Sequence, residues 1–271
     1  MAGAIDIFKR NNVVQRGQGQ PTLVFAHGFG CDQQMWRFVA PQFEADHQVL
    51  LFDHIGCGRS DTAAYEPGRH SSLRGYAQDV VEIMAAAELS DAVFVGHSVS
   101  AMIGLLAAIA APQHFSRLVM IGPSPRYLNE PPTGYIGGFE REDIDGLIDM
   151  MESNMVGWAS FLAPQVMGAG SSAEMTRELR ESFCASDPYI AHRFAIATFF
   201  ADNRADLTLA PVPSLVIQCS DDAIAPRAVG EYVHSHLPAS TLAVIEASGH
   251  CPHMTHPQET AELIRRYLAE H

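Results

Sequence analysis

A serine in a tight small-residue turn, a late histidine and an aspartate between them could together break an acyl bond. The stretch GHSVS, Gly96 to Ser100, carries the serine. It follows the pattern G-x-S-x-G except at its last position, where Ser100 stands for the second glycine. That pattern marks a sharp strand-to-helix turn that lifts its serine towards substrate. Residues two before and two after the serine must be small. Serine adds only a hydroxymethyl group to glycine, so Ser100 meets that demand, and its hydroxyl can bond a nearby backbone group. Ser98 is the candidate nucleophile.

A serine hydroxyl is a poor nucleophile at neutral pH and needs a base. Thirteen histidines compete for the role. His250, in ASGHCPH, directly follows the last apolar run, where a loop can return an imidazole to the serine. His97, beside Ser98, is assigned to packing or hydrogen bonding within the turn. His253 and His256 follow at three-residue steps, but no acidic or thiolate cluster accompanies them, so no metal is expected. The imidazole needs an acceptor to fix its tautomer. CSDDAIAP offers Asp221 and Asp222, which spacing alone does not separate.

A tetrahedral intermediate needs donors for its oxyanion. One is the N–H after the nucleophile, that of Val99. The other should come from a loop after an early strand, and HGFG (His27 to Gly30) points to Phe29. GCGRSD (Gly56 to Asp61) lacks the full spacing and downstream acid of a dinucleotide site and reads as turn architecture, so no cofactor is expected.

Strands must deliver these loops. Apolar runs ending in turn residues begin at Pro21, His47, Asp91, Arg117, Pro213 and Ser240. Helical patterns lie between most of them, as in Leu73 to Leu89 and Pro257 to His271. The alternation implies an α/β fold with a mostly parallel sheet covered on both faces. Between Arg126 and Asp206 no buried strand is legible. Ile144, Leu147, Ile148, Met151, Met155, Trp158 and Leu162 recur at helical spacing there. A helical insertion over the carboxyl edge of the sheet, where α/β folds bind ligands, is expected. This divides the chain into a core, 1–125, a helical lid, 126–206, and a second part of the core, 207–271.

The net charge of -14 argues against nucleic acid or an anionic membrane as partner, since either needs a cationic face. Ala101 to Ala111, the longest apolar run, is too short to span a bilayer. The first residues, MAGAIDIFKRNNVV, carry charges where an export signal needs an apolar core. Five scattered cysteines fit free thiols in a reducing compartment.

The order Ser98, Asp222, His250 is that of α/β-hydrolases. Over nearly its whole length the chain resembles the RsbQ-like branch of that superfamily. The resemblance is carried by HGFGCDQQMW, GHSVSAMIG, SPRYLNE, GGFEREDI, QCSDDAIAP and GHCPHMTHPQET. It implies Asp222, not Asp221, as the third triad member. It also implies a four-helix V-shaped lid over a deep apolar pocket walled by Phe29, Tyr127, Phe139, Trp158, Phe161 and Phe194. For function it implies a cytoplasmic serine hydrolase of a small hydrophobic ester or lactone. Such a protein would act as a positive regulator of a bacterial stress sigma factor, with a PAS-domain phosphatase partner. Two alternatives stand beside this: a ligand sensor in which hydrolysis is incidental, and a carbon–carbon bond hydrolase using the same triad.

Overall fold

The computed structural model describes residues 6–270. The reading of the extreme N-terminus as free of an export signal lies partly outside the described residues. Among the described residues seven strands form one sheet: β1 (Val14–Arg16), β2 (Leu23–Ala26), β3 (Val49–Phe52), β4 (Ala92–His97), β5 (Phe115–Ile121), β6 (Ser214–Asp221) and β7 (Ser240–Ser248). Their order is β1-β3-β2-β4-β5-β6-β7. All pair in parallel except β1, which runs antiparallel to β3 at the edge. β1 escapes sequence reading because an edge strand of sequence VQR buries little and shows no apolar alternation.

The central strands are buried on both faces, so they read as continuous apolar runs. Along β2, Leu23 and Phe25 join one core while Val24 and Ala26 join the other. That is the period-two geometry of a strand. Among the described residues there are ten α-helices: α1 (Ile7–Arg10), α2 (Leu73–Ala86), α3 (Val99–Ala110), α4 (Arg141–Ser153), α5 (Met155–Met167), α6 (Ala173–Ala185), α7 (Pro188–Phe199), α8 (Arg227–His236), α9 (Pro252–Thr255) and α10 (Pro257–Glu270). In α2, Leu73, Tyr76, Ala77, Val80, Ile83 and Met84 make a buried stripe at helical spacing. α3 is buried along nearly its whole length, since it lies between the sheet and α2. Among the described residues no helix is long and apolar enough to cross a membrane.

Four helices, α4 to α7, fill the interval between β5 and β6. Each begins at a side-chain cap. Glu140 and Asp143 form a reciprocal capping box on α4. Asn154, Ser172 and Asp187 accept from Gly157, Met175 and Ile190 on α5, α6 and α7. Caps of this kind contribute about 1 kcal/mol each and fix where the chain turns. The inner faces of these helices join the core on one side of the sheet through Ile144, Trp158, Leu162 and Phe183.

Candidate active site

β4 leads into α3 through Ser98, whose backbone sits at φ 56°, ψ −123°. This is a strained conformation for a non-glycine residue. The turn is tight enough that a Cβ on Gly96 would lie 2.5 Å from the Ser100 carbonyl oxygen, so position 96 must be glycine. The Ser98 N–H donates to the Ile121 carbonyl on the neighbouring strand at 2.8 Å.

His250 arrives from the loop after β7. Its N–H donates to Val166 at the end of α5, 2.7 Å away, and the preceding Gly249 takes φ +104°. The ring's Nε2 lies 2.8 Å from Ser98 Oγ, and its Nδ1 lies 2.7 Å from Asp222 Oδ2. Asp222 is buried, and its other oxygen accepts from the N–H groups of Ile224 and Ala225 at 2.8 and 3.0 Å. Asp221 ends β6 with its side chain exposed, and its carbonyl accepts from the Gly249 N–H at 2.8 Å. The carboxylate can only accept, so Nδ1 carries the imidazole proton. Nε2 is thereby left bare to take a proton from Ser98.

Val99 is the first residue of α3, so its N–H has no partner within the helix. The loop carrying Phe29 runs beside it: a Cβ on Gly28 would lie 3.5 Å from the Ser98 Cβ. The Tyr127 hydroxyl is 3.4 Å from Ser98 Oγ, and burial pushes its pKa up to about 12, so it stays a neutral phenol. Above Ser98 lies a small apolar cavity of about 40 Å³. Its wall includes Phe29, Tyr127, Phe139, Phe183 and Phe199.

The alpha/beta hydrolase family model matches residues 23–263. A karrikin-insensitive receptor of Petunia hybrida is 37% identical over 95% of both chains. A strigolactone esterase of Arabidopsis thaliana is 36% identical, covering 97% of this chain and 98% of its own. The solved structure of a hydrolase from Oleispira antarctica superposes with a TM-score of 0.96 at 44% identity, covering 98% of this chain and 97% of that one. The chain belongs to the alpha/beta hydrolase family. It falls in the branch that holds those plant proteins.

The pocket wall of this hydrolase differs in part from the expectation. Phe29, Tyr127 and Phe139 line the cavity. Phe161 does not: it is 51% exposed and lines an outer groove between α4 and α5. Its neighbour Leu162 takes the inward face, because adjacent helical residues point about 100° apart. Trp158 is fully packed one layer back, with its ring edge-on to Phe29 and against Phe183. Phe194 is likewise behind the wall, stacked on Tyr76 at 4.2 Å and abutting Phe29.

Sequence reasoning passed over Phe183, Phe199, Leu179, Val166, Ile224, Cys31 and Cys251, which also line the hydrolase's cavity. Leu147 and Leu162 stood in the apolar stripe, but nothing in a stripe separates cavity wall from packing. His253 leaves His250 and packs on Trp36. Burial depresses its pKa to about 3, so it is neutral. His97, Cys251 and His253 bring three potential ligand atoms within 4.8 Å of one another. His97 Nε2 is already hydrogen-bonded to the His250 carbonyl at 2.8 Å, so the trio offers a metal fewer free donors than its count suggests. Burial raises the Cys251 pKa well above its ordinary value, so the thiol does not compete with Ser98 as a nucleophile.

Proposed function

We propose that this protein is a serine hydrolase that cleaves the ester or lactone of a small, uncharged, apolar molecule. The observation that carries the reading is the unbroken hydrogen-bonded line Ser98–His250–Asp222 at 2.8 and 2.7 Å beneath an apolar cavity. Ser98 Oγ attacks the acyl carbon as His250 Nε2 takes its proton. The carbonyl oxygen becomes an oxyanion held by the N–H groups of Val99 and Phe29. Asp222 stabilises the imidazolium. His250 then protonates the departing alkoxide, leaving an acyl ester on Ser98. Water repeats the sequence, with His250 again as base, and releases the acid.

The small cavity favours a compact acyl group or a single lactone ring. A larger substrate needs the side chains shared with the outer groove, Phe139, Leu147, Leu162 and Ile224, to move aside. Substitution of Ser98 by alanine tests the chemistry: turnover of 4-nitrophenyl acetate should fall to background in a folded protein, and retained turnover would sink the mechanism.

A second reading makes ligand sensing the main output. It is favoured by the apolar cavity beneath α4 to α7, because a ligand larger than that cavity requires lid side chains to rearrange. Similarity to proteins named as receptors supports it further. Positive control of a stress sigma factor through a PAS-bearing phosphatase rests on the resemblance of the sequence to the RsbQ-like branch. Ser98→Ala separates the outputs: a variant that still signals favours sensing. Carbon–carbon bond hydrolysis by the same triad remains the third reading, tested by offering a vinylogous diketone beside simple esters.

A further inference from the structure

Ser100 occupies the position where this turn motif usually has glycine, and its side chain is fully buried. Its hydroxyl donates to the His27 carbonyl at 2.5 Å. A hydroxyl has one proton. His54 Nε2, 2.7 Å from the same oxygen, must therefore be the donor in that second bond. His54 in turn gives its backbone N–H to His27 Nε2 at 3.0 Å. A backbone N–H only donates, so His27 Nε2 is bare and Nδ1 carries the proton. Nδ1–H donates to the Gly28 carbonyl at 2.8 Å.

That carbonyl belongs to the same planar peptide as the Phe29 N–H. In a trans peptide the C=O and N–H point in opposite directions, so holding one sets the other. The Cys31 N–H adds a second bond to the Gly28 oxygen at 3.3 Å. We propose that Ser100 is a positioning residue that, with His54 and His27, sets the orientation of the peptide donating the Phe29 N–H to the oxyanion. The inference rests on the reading of Phe29 as an oxyanion donor in the proposed hydrolase.

The chain joins the helix that follows the nucleophile to the loop that supplies the second donor. Both partners of the oxyanion are thus referred to one element, α3, through Val99 and Ser100. Burial keeps both imidazoles below their ordinary pKa, so each stays neutral and each hydrogen bond keeps one direction. Glycine at position 100 fits the turn but leaves His27 O and His54 Nε2 without this partner.

The test compares Ser100→Gly and Ser100→Ala with the parent protein and with Ser98→Ala. Ser100→Gly restores the commoner motif, and Ser100→Ala keeps the helix former and the Cβ, so a folding failure in one leaves the other informative. The readings are kcat and KM for 4-nitrophenyl acetate, and inhibition by an alkyl trifluoromethyl ketone and by the matching carbinol. The ketone forms a tetrahedral oxyanion on Ser98; the carbinol only fills the pocket. Loss of a whole oxyanion donor costs roughly 10²–10³ in kcat. A misdirected donor is expected to cost about tenfold or more, with KM nearly unchanged. Ketone affinity should fall in step with kcat/KM while carbinol affinity holds. Parental kcat and ketone affinity in a folded Ser100 variant overturn the inference. So does an equal loss for ketone and carbinol, which marks general damage to the pocket. Turnover that survives Ser98→Ala defeats instead the hydrolase reading on which the inference stands.

Discussion

Ser98 Oγ and His250 Nε2 stand 2.8 Å apart although 152 positions separate them in the chain. The serine is held by the β4–α3 turn. The imidazole is held by a backbone bond to Val166 on α5 and by the Asp222 carboxylate. The β4–α3 turn and α5 therefore both contribute to a single proton-transfer distance.

Replacing Ser98 with alanine is expected to lower kcat on an activated acetate ester by at least about 10⁴-fold. The exchange removes a single oxygen atom and keeps the Cβ, so the thermal midpoint should hold. Steady-state kinetics and a melting curve on the same preparation check both halves.

Asp222→Asn should be nearly as damaging, with kcat lower by about 10³–10⁴-fold. The Ile224 and Ala225 N–H groups require an oxygen, so the asparagine carbonyl must face them. Its NH₂ then faces His250 Nδ1 and forces the proton onto Nε2. The base is lost although the shape is kept. Asp221→Asn provides the control and should leave kcat within about twofold, since that carboxylate takes no part in the line.

Phe139 lines both the cavity and the outer groove, whereas Phe161 lines the groove alone. Phe139→Ala should open the wall and raise kcat/KM for hexanoyl over acetyl esters by about tenfold, the scale of one or two methylenes in an apolar pocket. Phe161→Ala should leave that ratio unchanged. A chain-length series of 4-nitrophenyl esters distinguishes the two.

Stability should fall as the solution is acidified from pH 7 to pH 4. His27, His54, His97 and His253 are buried, and desolvation holds all four below their ordinary pKa, His253 at about 3. Between the unfolded value near 6.5 and the folded value, the unfolded chain binds more protons, so unfolding is favoured as pH drops. The stabilisation is full above about pH 6.5 and is lost progressively on the way down to the folded pKa. Each histidine adds a slope of up to about 1.4 kcal/mol per pH unit. Urea unfolding across this range should show the slope, and His253→Phe should flatten it.

The amino-acid sequence by itself determined which loops carry chemistry. Ser98, Asp222 and His250 each follow an apolar strand pattern, and in a parallel sheet all such loops emerge at one edge. That topological fact is readable from periodicity and turn residues, and so is the helical interval between β5 and β6. The choice between Asp221 and Asp222 was not legible from spacing, because adjacent residues differ only in the direction their side chains leave the end of β6. Resemblance favoured Asp222, and the fold buries that residue against His250. The pocket wall was decided at the tertiary level. An apolar helical residue has the same pattern whether it packs, as Trp158 does, or lines a cavity, as Leu162 does. Which one it does depends on how α4 to α7 rotate over the sheet. Ser100 is the sharpest case. Its size was judged from the motif alone, but its partners, the His27 carbonyl and His54, come from strands and loops far away in the chain. Only the pairing of β3, β2 and β4 in one sheet, with α3 following β4, brings those atoms within hydrogen-bond reach.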